Sequence, residues 1–292
     1  MDILKKLPGP LLVFLGAVFL SFGGLIVKSF EGANLWQILF WRQLFFVLLV
    51  LIFLTINYKN DVFKKIYLSG FPGLIGGIIL GIGFSSYVFA MYNTTVANTN
   101  FIIQTQTIFL AIFGYFFLKE KISIITLISI ILAISGLLLM LGNSLSGGKM
   151  LGNIVAFIMP ITFASLILIV RKYPHLDMVP LQLVAGMVAL LIGFFVSNKI
   201  LISNYDIFLA FLSGTFQLGL GFIFITIGAR KTLSAMVGII MLTEAILGPF
   251  WAWLFVNEDA SLYTIIGGSI IIFAVFLQFV SSIKKETKYN AN

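Results

Sequence analysis

Residues 238–255 read "GIIMLTEAILGPFWAWLF", an apolar run with one carboxylate, Glu244, near its centre. What surrounds the run decides how it is read. The chain has 292 residues, of which 60% are hydrophobic and 10% charged, and its mean hydropathy is +1.13. A water-soluble domain has roughly a quarter of its residues charged, so this chain lacks the polar surface to cover a soluble fold of its size. Apolar stretches of about 20 residues recur from end to end, which is the signal of membrane-spanning helices. There is no cysteine, and the single histidine, His175, lies in a polar connector. No disulfide framework, thiolate site or metal site is therefore expected, and no cofactor.

Ten spans are predicted, at about 10–28, 35–56, 71–92, 97–118, 122–141, 151–170, 178–196, 207–229, 234–256 and 262–282. The N-terminal run is long enough to cross a bilayer and has no small-residue cleavage site, so it reads as the first span rather than a leader. Sorting lysine and arginine by side puts fourteen on one side, from Lys5 and Lys6 to Lys284, Lys285 and Lys288. The other side holds three, Lys28, Lys149 and Lys199, and Arg42 alone falls inside a span. Such a bias predicts cytoplasmic termini and a multi-pass protein of a bacterial-type plasma (inner) membrane. The basic loops are too short to fold on a nucleic acid; their partner is the lipid bilayer.

Shifted by 138 residues, the second half of the chain falls on the first without a gap over about sixty positions. Gly76, Leu80, Gly81, Gly83 and Phe84 meet Gly214, Leu218, Gly219, Gly221 and Phe222, and Glu120 meets Glu258. Ser123, Thr126, Ile128 and Ile134 meet Ser261, Thr264, Ile266 and Ile272. With five spans per copy, an odd number, the second copy enters the membrane from the opposite side. The expected fold is therefore an all-α integral membrane protein of ten helices in two inverted five-helix repeats, 1–145 and 146–292. Inverted repeats of this kind mark secondary transporters, whose two halves exchange conformations about a site near the midplane.

The segment "TTVANTNFIIQTQTIFLAIFGYFFLKEKIS" (94–123) and its mate "TLSAMVGIIMLTEAILGPFWAWLFVNEDAS" (232–261) resemble the paired units of the EamA family of the drug/metabolite transporter superfamily. The family's Gly-Glu-like pair stands here as Lys119-Glu120 and Asn257-Glu258. Its Leu-Glu-Pro stands as Thr243-Glu244-Ala245, with Pro249 one turn later. The resemblance implies ten helices around a central cavity, and most often export of metabolites such as amino acids, nucleotide-like compounds, vitamins or drugs.

Glu244 lies about ten residues from either end of its span, near the bilayer midplane at helical rise. A charge there costs at least about 2.5–3.5 kcal/mol on insertion scales, so it faces a cavity or a partner. Arg42, in "LWQILFWRQLFF", is the other charge within a span. Two readings stand open: a structural ion pair, or a site where Glu244 binds an amino group or takes up a proton that couples transport. The fourth span adds Asn98, Asn100, Gln104, Thr105, Gln106 and Thr107. Asn100, Gln104 and Thr107 share one helical face, and Gln106 is the repeat mate of Glu244, which Thr243 precedes. Gly73, Gly77 and Gly81 form a small-residue stripe for close helix packing. H-E-x-x-H, G-x-S-x-G and G-x-x-x-x-G-K-[ST] are absent, so no enzyme or ATP-driven pump is expected. The expected function is a secondary active exporter of a small polar or zwitterionic metabolite such as an amino acid, with import or exchange as its rival and a membrane enzyme or scaffold as the reading from another class.

Overall fold

The computed structural model of the chain describes residues 7–118, 124–144, 149–173, 175–230, 232 and 234–289, and every regular element among them is helical. Lys5, Lys6, Lys119, Glu120, Lys121, Ser123 and Lys231, which entered the charge and repeat comparisons, lie outside the described residues. Among the described residues, six helices are long and apolar enough to cross a bilayer: Gly9–Lys28, Leu35–Leu68, Gly70–Asn93, Val96–Phe117, Met150–Val170 and Asn204–Ala229. The shorter apolar helices Leu127–Leu139, Leu181–Val196, Ile240–Val256 and Leu262–Leu277 stand where the fifth, seventh, ninth and tenth spans were expected. Large apolar side chains such as Phe116, Ile131, Leu138, Phe195 and Phe273 face outward. That surface suits lipid and not water, and the protein is an all-α integral membrane protein.

Several spans are broken. The first is α1 (Gly9–Ser21) and α2 (Gly23–Lys28), and α3 (Leu35–Tyr58) leads through a short α4 (Val62–Leu68) to α5 (Gly70–Asn93). The fourth is α6 (Val96–Gln104) and α7 (Gln106–Leu118), followed by α8 (Ile124–Ser144). The second half runs α9 (Met150–Ala156), α10 (Ile158–Lys172), α11 (Leu181–Val196) and α12 (Asn204–Leu212). A π-helical segment (Ser213–Leu220) then leads into α13 (Gly221–Ala229), α14 (Ser234–Val256, containing Pro249) and α15 (Leu262–Tyr289). Two breaks have a local cause. The Ser21 hydroxyl donates to the Val18 carbonyl and the Thr105 hydroxyl to the Ile102 carbonyl, each at 2.7 Å. Such back-bonding competes with the helical ladder. At the start of α3, Asn34 accepts from the Trp36 and Gln37 amides while Gln37 accepts from the Asn34 amide, a capping box that fixes where the helix begins.

Packing partners come in pairs related by exchange of the two halves. Helices α3 with α11, α6 with α14, and α8 with α15 each pack on their own counterpart. The packing of α5 on α11 has its match in the π segment on α3, and that of α10 on α5 in α1 on α13. Glycines permit the close approaches. A Cβ on Gly77 would come within 2.5 Å of Val184 Cβ, and one on Gly81 within 2.7 Å of the Ala185 carbonyl, both on α11. Gly73 does not extend that stripe, because its crowding neighbour is Ser69 of the same helix entry. Gly76 takes its place, 2.7 Å from Leu181 Cδ1 by the same construction. In the other half a Cβ on Gly214 would overlap the Arg42 carbonyl oxygen and lie 2.8 Å from Phe45 Cβ.

Gly214→Ala should therefore cost about 1–3 kcal/mol, the usual range for overpacking, and lower the unfolding temperature of the purified protein in detergent. Gly32→Ala, whose added atom meets nothing nearer than Asp206 Oδ2 at 3.5 Å, should leave it unchanged.

Candidate functional site

The repeat mates converge at the centre of the bundle. Phe84 and Phe222 meet edge to face with ring centroids 4.9 Å apart, and each makes a further ring contact, Phe84 with Phe46 and Phe222 with Phe163. Beside them lies a cavity of about 20 Å³. That volume holds a single water. Three mated pairs line it, Phe84 with Phe222, Ile103 with Met241, and Gln106 with Glu244, so it sits where the two halves meet. Arg42, Tyr87 and Gln217 complete its polar lining.

Arg42 is 1% exposed. Its Nε donates to Ser213 Oγ at 3.0 Å and its Nη2 to Gln217 Oε1 at 3.1 Å. Its guanidinium carbon lies 5.1 Å from the centroid of the Tyr87 ring, a cation–π placement. Its Nη1 is buried without a hydrogen-bond partner. Glu244, 4% exposed, lines the same cavity, yet among the described residues it forms no ion pair with Arg42 and no hydrogen bond. The structural ion pair that the sequence left open is not formed here. Gln106, 1% exposed, has both amide atoms unpartnered, and so is the Tyr87 hydroxyl. Buried polar groups without partners cost free energy; those of Arg42, Tyr87 and Gln106 lie on this cavity, while those of Gln43, Asn100, Gln104, Ser129 and Gln182 lie away from it.

The remaining residues singled out in sequence are placed elsewhere. Asn100 is buried with its Oδ1 unpartnered, and its side chain packs where Gly248 of α14 leaves room. Gln104 is fully buried with both amide atoms unpartnered, outside the cavity lining. Thr243 is partly buried and does not line the cavity. The Thr107 side chain lies outside the described ones. Sequence reasoning selected none of Ser213, Gln217 and Tyr87 as site residues. Trp251 also acts at the broken first span: its ring stacks on Phe22 at 5.0 Å and its Nε1 donates to Ser21 Oγ at 3.1 Å.

Both ends of the bundle are tied by polar contacts. At one end Lys28 Nζ donates to the Thr94 carbonyl at 2.8 Å and lies 3.6 Å from Glu258 Oε2. Glu258 Oε1 accepts from the Val96 amide at 2.6 Å, and a buried chain of Thr94, Asn153, Asn98 and Thr264 continues inward. At the other end Asp177 accepts from the Tyr58 hydroxyl and lies 3.8 Å from Arg230 Nη1. Polar contacts thus tie both ends around a small central cavity, and beside Glu258 a wider recess of about 320 Å³ opens between Ala97, Pro249, Phe250 and Trp253. Among the described residues no cluster of His, Asp or Glu suits a metal ion.

Gln106→Leu should raise the unfolding temperature, because it removes two unsatisfied buried groups that cost about 1–3 kcal/mol each, and it should impair whatever the cavity binds. A lower unfolding temperature would show that the amide is satisfied by something inside the cavity.

The chain resembles known proteins along almost its whole length. An uncharacterized transporter of Clostridium kluyveri is 23% identical over 296 residues, covering 94% of each chain. A solved crystal structure of a protein shares the fold, with a TM-score of 0.69 at 12% identity, over 95% of this chain and 98% of that one. The profile of the EamA-like transporter family matches residues 7–142 and matches again at 147–280. These likenesses point to a transporter rather than an enzyme, and the chain belongs to the EamA-like transporter family, within the drug/metabolite transporters.

Proposed function

We propose that this protein is a secondary active exporter of a small polar or zwitterionic metabolite, such as an amino acid, working by alternating access in a bacterial-type plasma membrane with both termini cytoplasmic. One observation carries the reading: Arg42 and Glu244 line the same buried cavity without pairing. Opposite charges that could neutralise one another are instead each left short of a partner. A zwitterion supplies both partners at once, its carboxylate to Arg42 Nη1 and its amino group to Glu244. The complex stays neutral overall, which limits the cost of desolvating it. The unpartnered Gln106 amide and Tyr87 hydroxyl suit the remaining polar atoms of such a guest.

A cavity of about 20 Å³ does not admit a metabolite. Loading it requires helices to part toward one end while the other stays tied. The Lys28–Glu258 contacts and the Asp177 contacts with Tyr58 and Arg230 are the ties that would break in alternation. The matched packing of the two halves supports rocking of one against the other. Between substrates a proton on Glu244 would satisfy the carboxylate and couple the return step. The lysine asymmetry supports cytoplasmic termini.

The test is uptake of a labelled metabolite mixture into inside-out vesicles from cells overproducing the chain. Accumulation of one compound class should collapse on adding a protonophore, and Glu244→Gln should abolish the transport or its pH dependence while the protein remains inserted and folded. Unchanged pH-dependent transport by Glu244→Gln would sink the proposal. Absence of accumulation would redirect the test to preloaded and right-side-out vesicles, where exchange and import would register.

A further inference from the structure

The π-helical segment Ser213–Leu220 breaks the symmetry of the two halves where it matters. Its repeat mate, residues 75–82, is regular α-helix within α5. Ser213 and Gln217 correspond there to Ile75 and Ile79, so only the second half carries polar groups at these positions. π-Helical segments recur at functional sites because they shift side chains out of the ordinary helical register. Here the segment presents both Ser213 and Gln217, four residues apart and so on one face, to Arg42.

Gln217 has contacts on two sides. Its Oε1 accepts from Arg42 Nη2 at 3.1 Å and from Ser213 Oγ at 3.4 Å. Its Nε2 donates to the Leu20 carbonyl at 3.3 Å, on the last turn of α1 before the break at Phe22. Room for this arrangement comes from Gly23, where a Cβ would lie 2.7 Å from Gln217 Nε2 and overlap the Tyr87 hydroxyl. Gln217 is 2% exposed and lines the cavity. The guanidinium is thus held by neutral oxygens of one helix although a carboxylate lines the same small cavity.

We propose that Gln217, seconded by Ser213, is the positioning residue of the transport site: it holds Arg42 away from Glu244, keeps Nη1 available to an incoming anionic group, and links that guanidinium to the break in the first span. The inference rests on the reading of this cavity as the transport site. When Gln217 releases Arg42, the guanidinium pairs with Glu244 and the site neutralises itself. When substrate engages Nη1, the strain on the shared acceptor is carried through Gln217 Nε2 to the Leu20 carbonyl. Binding is thereby felt at the hinge of α1 and α2.

Gln217→Met, close in volume and without the amide, is the principal variant, and Ser213→Ala is the milder one should the first fail to fold. Two readouts are taken on protein reconstituted in vesicles. The first is infrared difference spectroscopy, with the Glu244 carboxyl signal assigned by its loss in Glu244→Gln; this arm needs no transported compound. Pairing with Arg42 in Gln217→Met should move the Glu244 band, and Arg42→Met in the same background should move it back. A band that stays put in both Gln217→Met and Ser213→Ala overturns the proposal. The second readout is transport of a labelled amino-acid mixture. Gln217→Met should raise KM about tenfold, the scale of one lost charge-assisted hydrogen bond. The same substitution made on top of Arg42→Met should add nothing, since it acts through Arg42. Additive losses would mean that Gln217 only supports the fold, and would likewise overturn the proposal. If the wild-type protein moves none of the mixture, or Arg42→Met transports normally, the transport reading of the cavity falls, while the infrared arm still decides the role of Gln217.

Discussion

A buried cation held only by neutral oxygens and an aromatic face is the constraint on which the rest of this structure depends. An arginine at this depth costs several kcal/mol unless its donors are met, and a carboxylate would meet them most strongly. Arg42 instead donates to Ser213 and Gln217 and lies against Tyr87, while Glu244 lines the same cavity unpaired. Holding it so requires the π-helical stretch that carries its two acceptors, a glycine at 214 so that this stretch can lie against the backbone of α3, and a glycine at 23 so that Tyr87 and Gln217 can approach the broken first span. Each is a local departure from regular helix packing, and they converge on one side chain.

The two halves are alike in how they pack and unlike in what they bring to the centre. Phe84 and Phe222, Ile103 and Met241 build an apolar enclosure from equivalent positions. Gln106 and Glu244 occupy equivalent positions with different chemistry, Tyr87 and Gln217 fall on Ile225 and Ile79, and Arg42 lies outside the aligned stretch. In the proposed cycle, symmetric packing would let the halves trade places with little loss of buried surface. Asymmetric chemistry would let the proposed site tell one end of a guest from the other.

Much of the fold was legible in the sequence because the signals are long: twenty-residue apolar runs, and a register match sustained over some sixty positions. Within the site the legibility was uneven, for definite reasons. Glu244 and Arg42 stood out as charges within spans, Gln106 was brought to notice by the repeat as the mate of Glu244, and all three line the cavity. The argument from a shared helical face chose Asn100, Gln104 and Thr107, but residues two apart on a helix point to nearly opposite sides. Gln104 and Gln106 cannot both have faced the centre, and Gln104 is the one outside it. Ser213 and Gln217 escaped notice because an isolated polar residue in a glycine-rich span looks like ordinary interhelical bonding. Tyr87 was indistinguishable from the many aromatics that only fill space.

The near-absence of space at the centre has an electrical meaning. A plasma membrane holds a potential worth about 2.3 kcal/mol per elementary charge for each 100 mV, and any continuous file of water through a transporter would short it. The space beside Arg42 and Glu244 has room for a single water, too little by itself to hold a hydrogen-bonded file along which protons could hop. In the proposed transport cycle this arrangement would act as an insulator, so that the gradient driving the cargo is not spent while the protein waits.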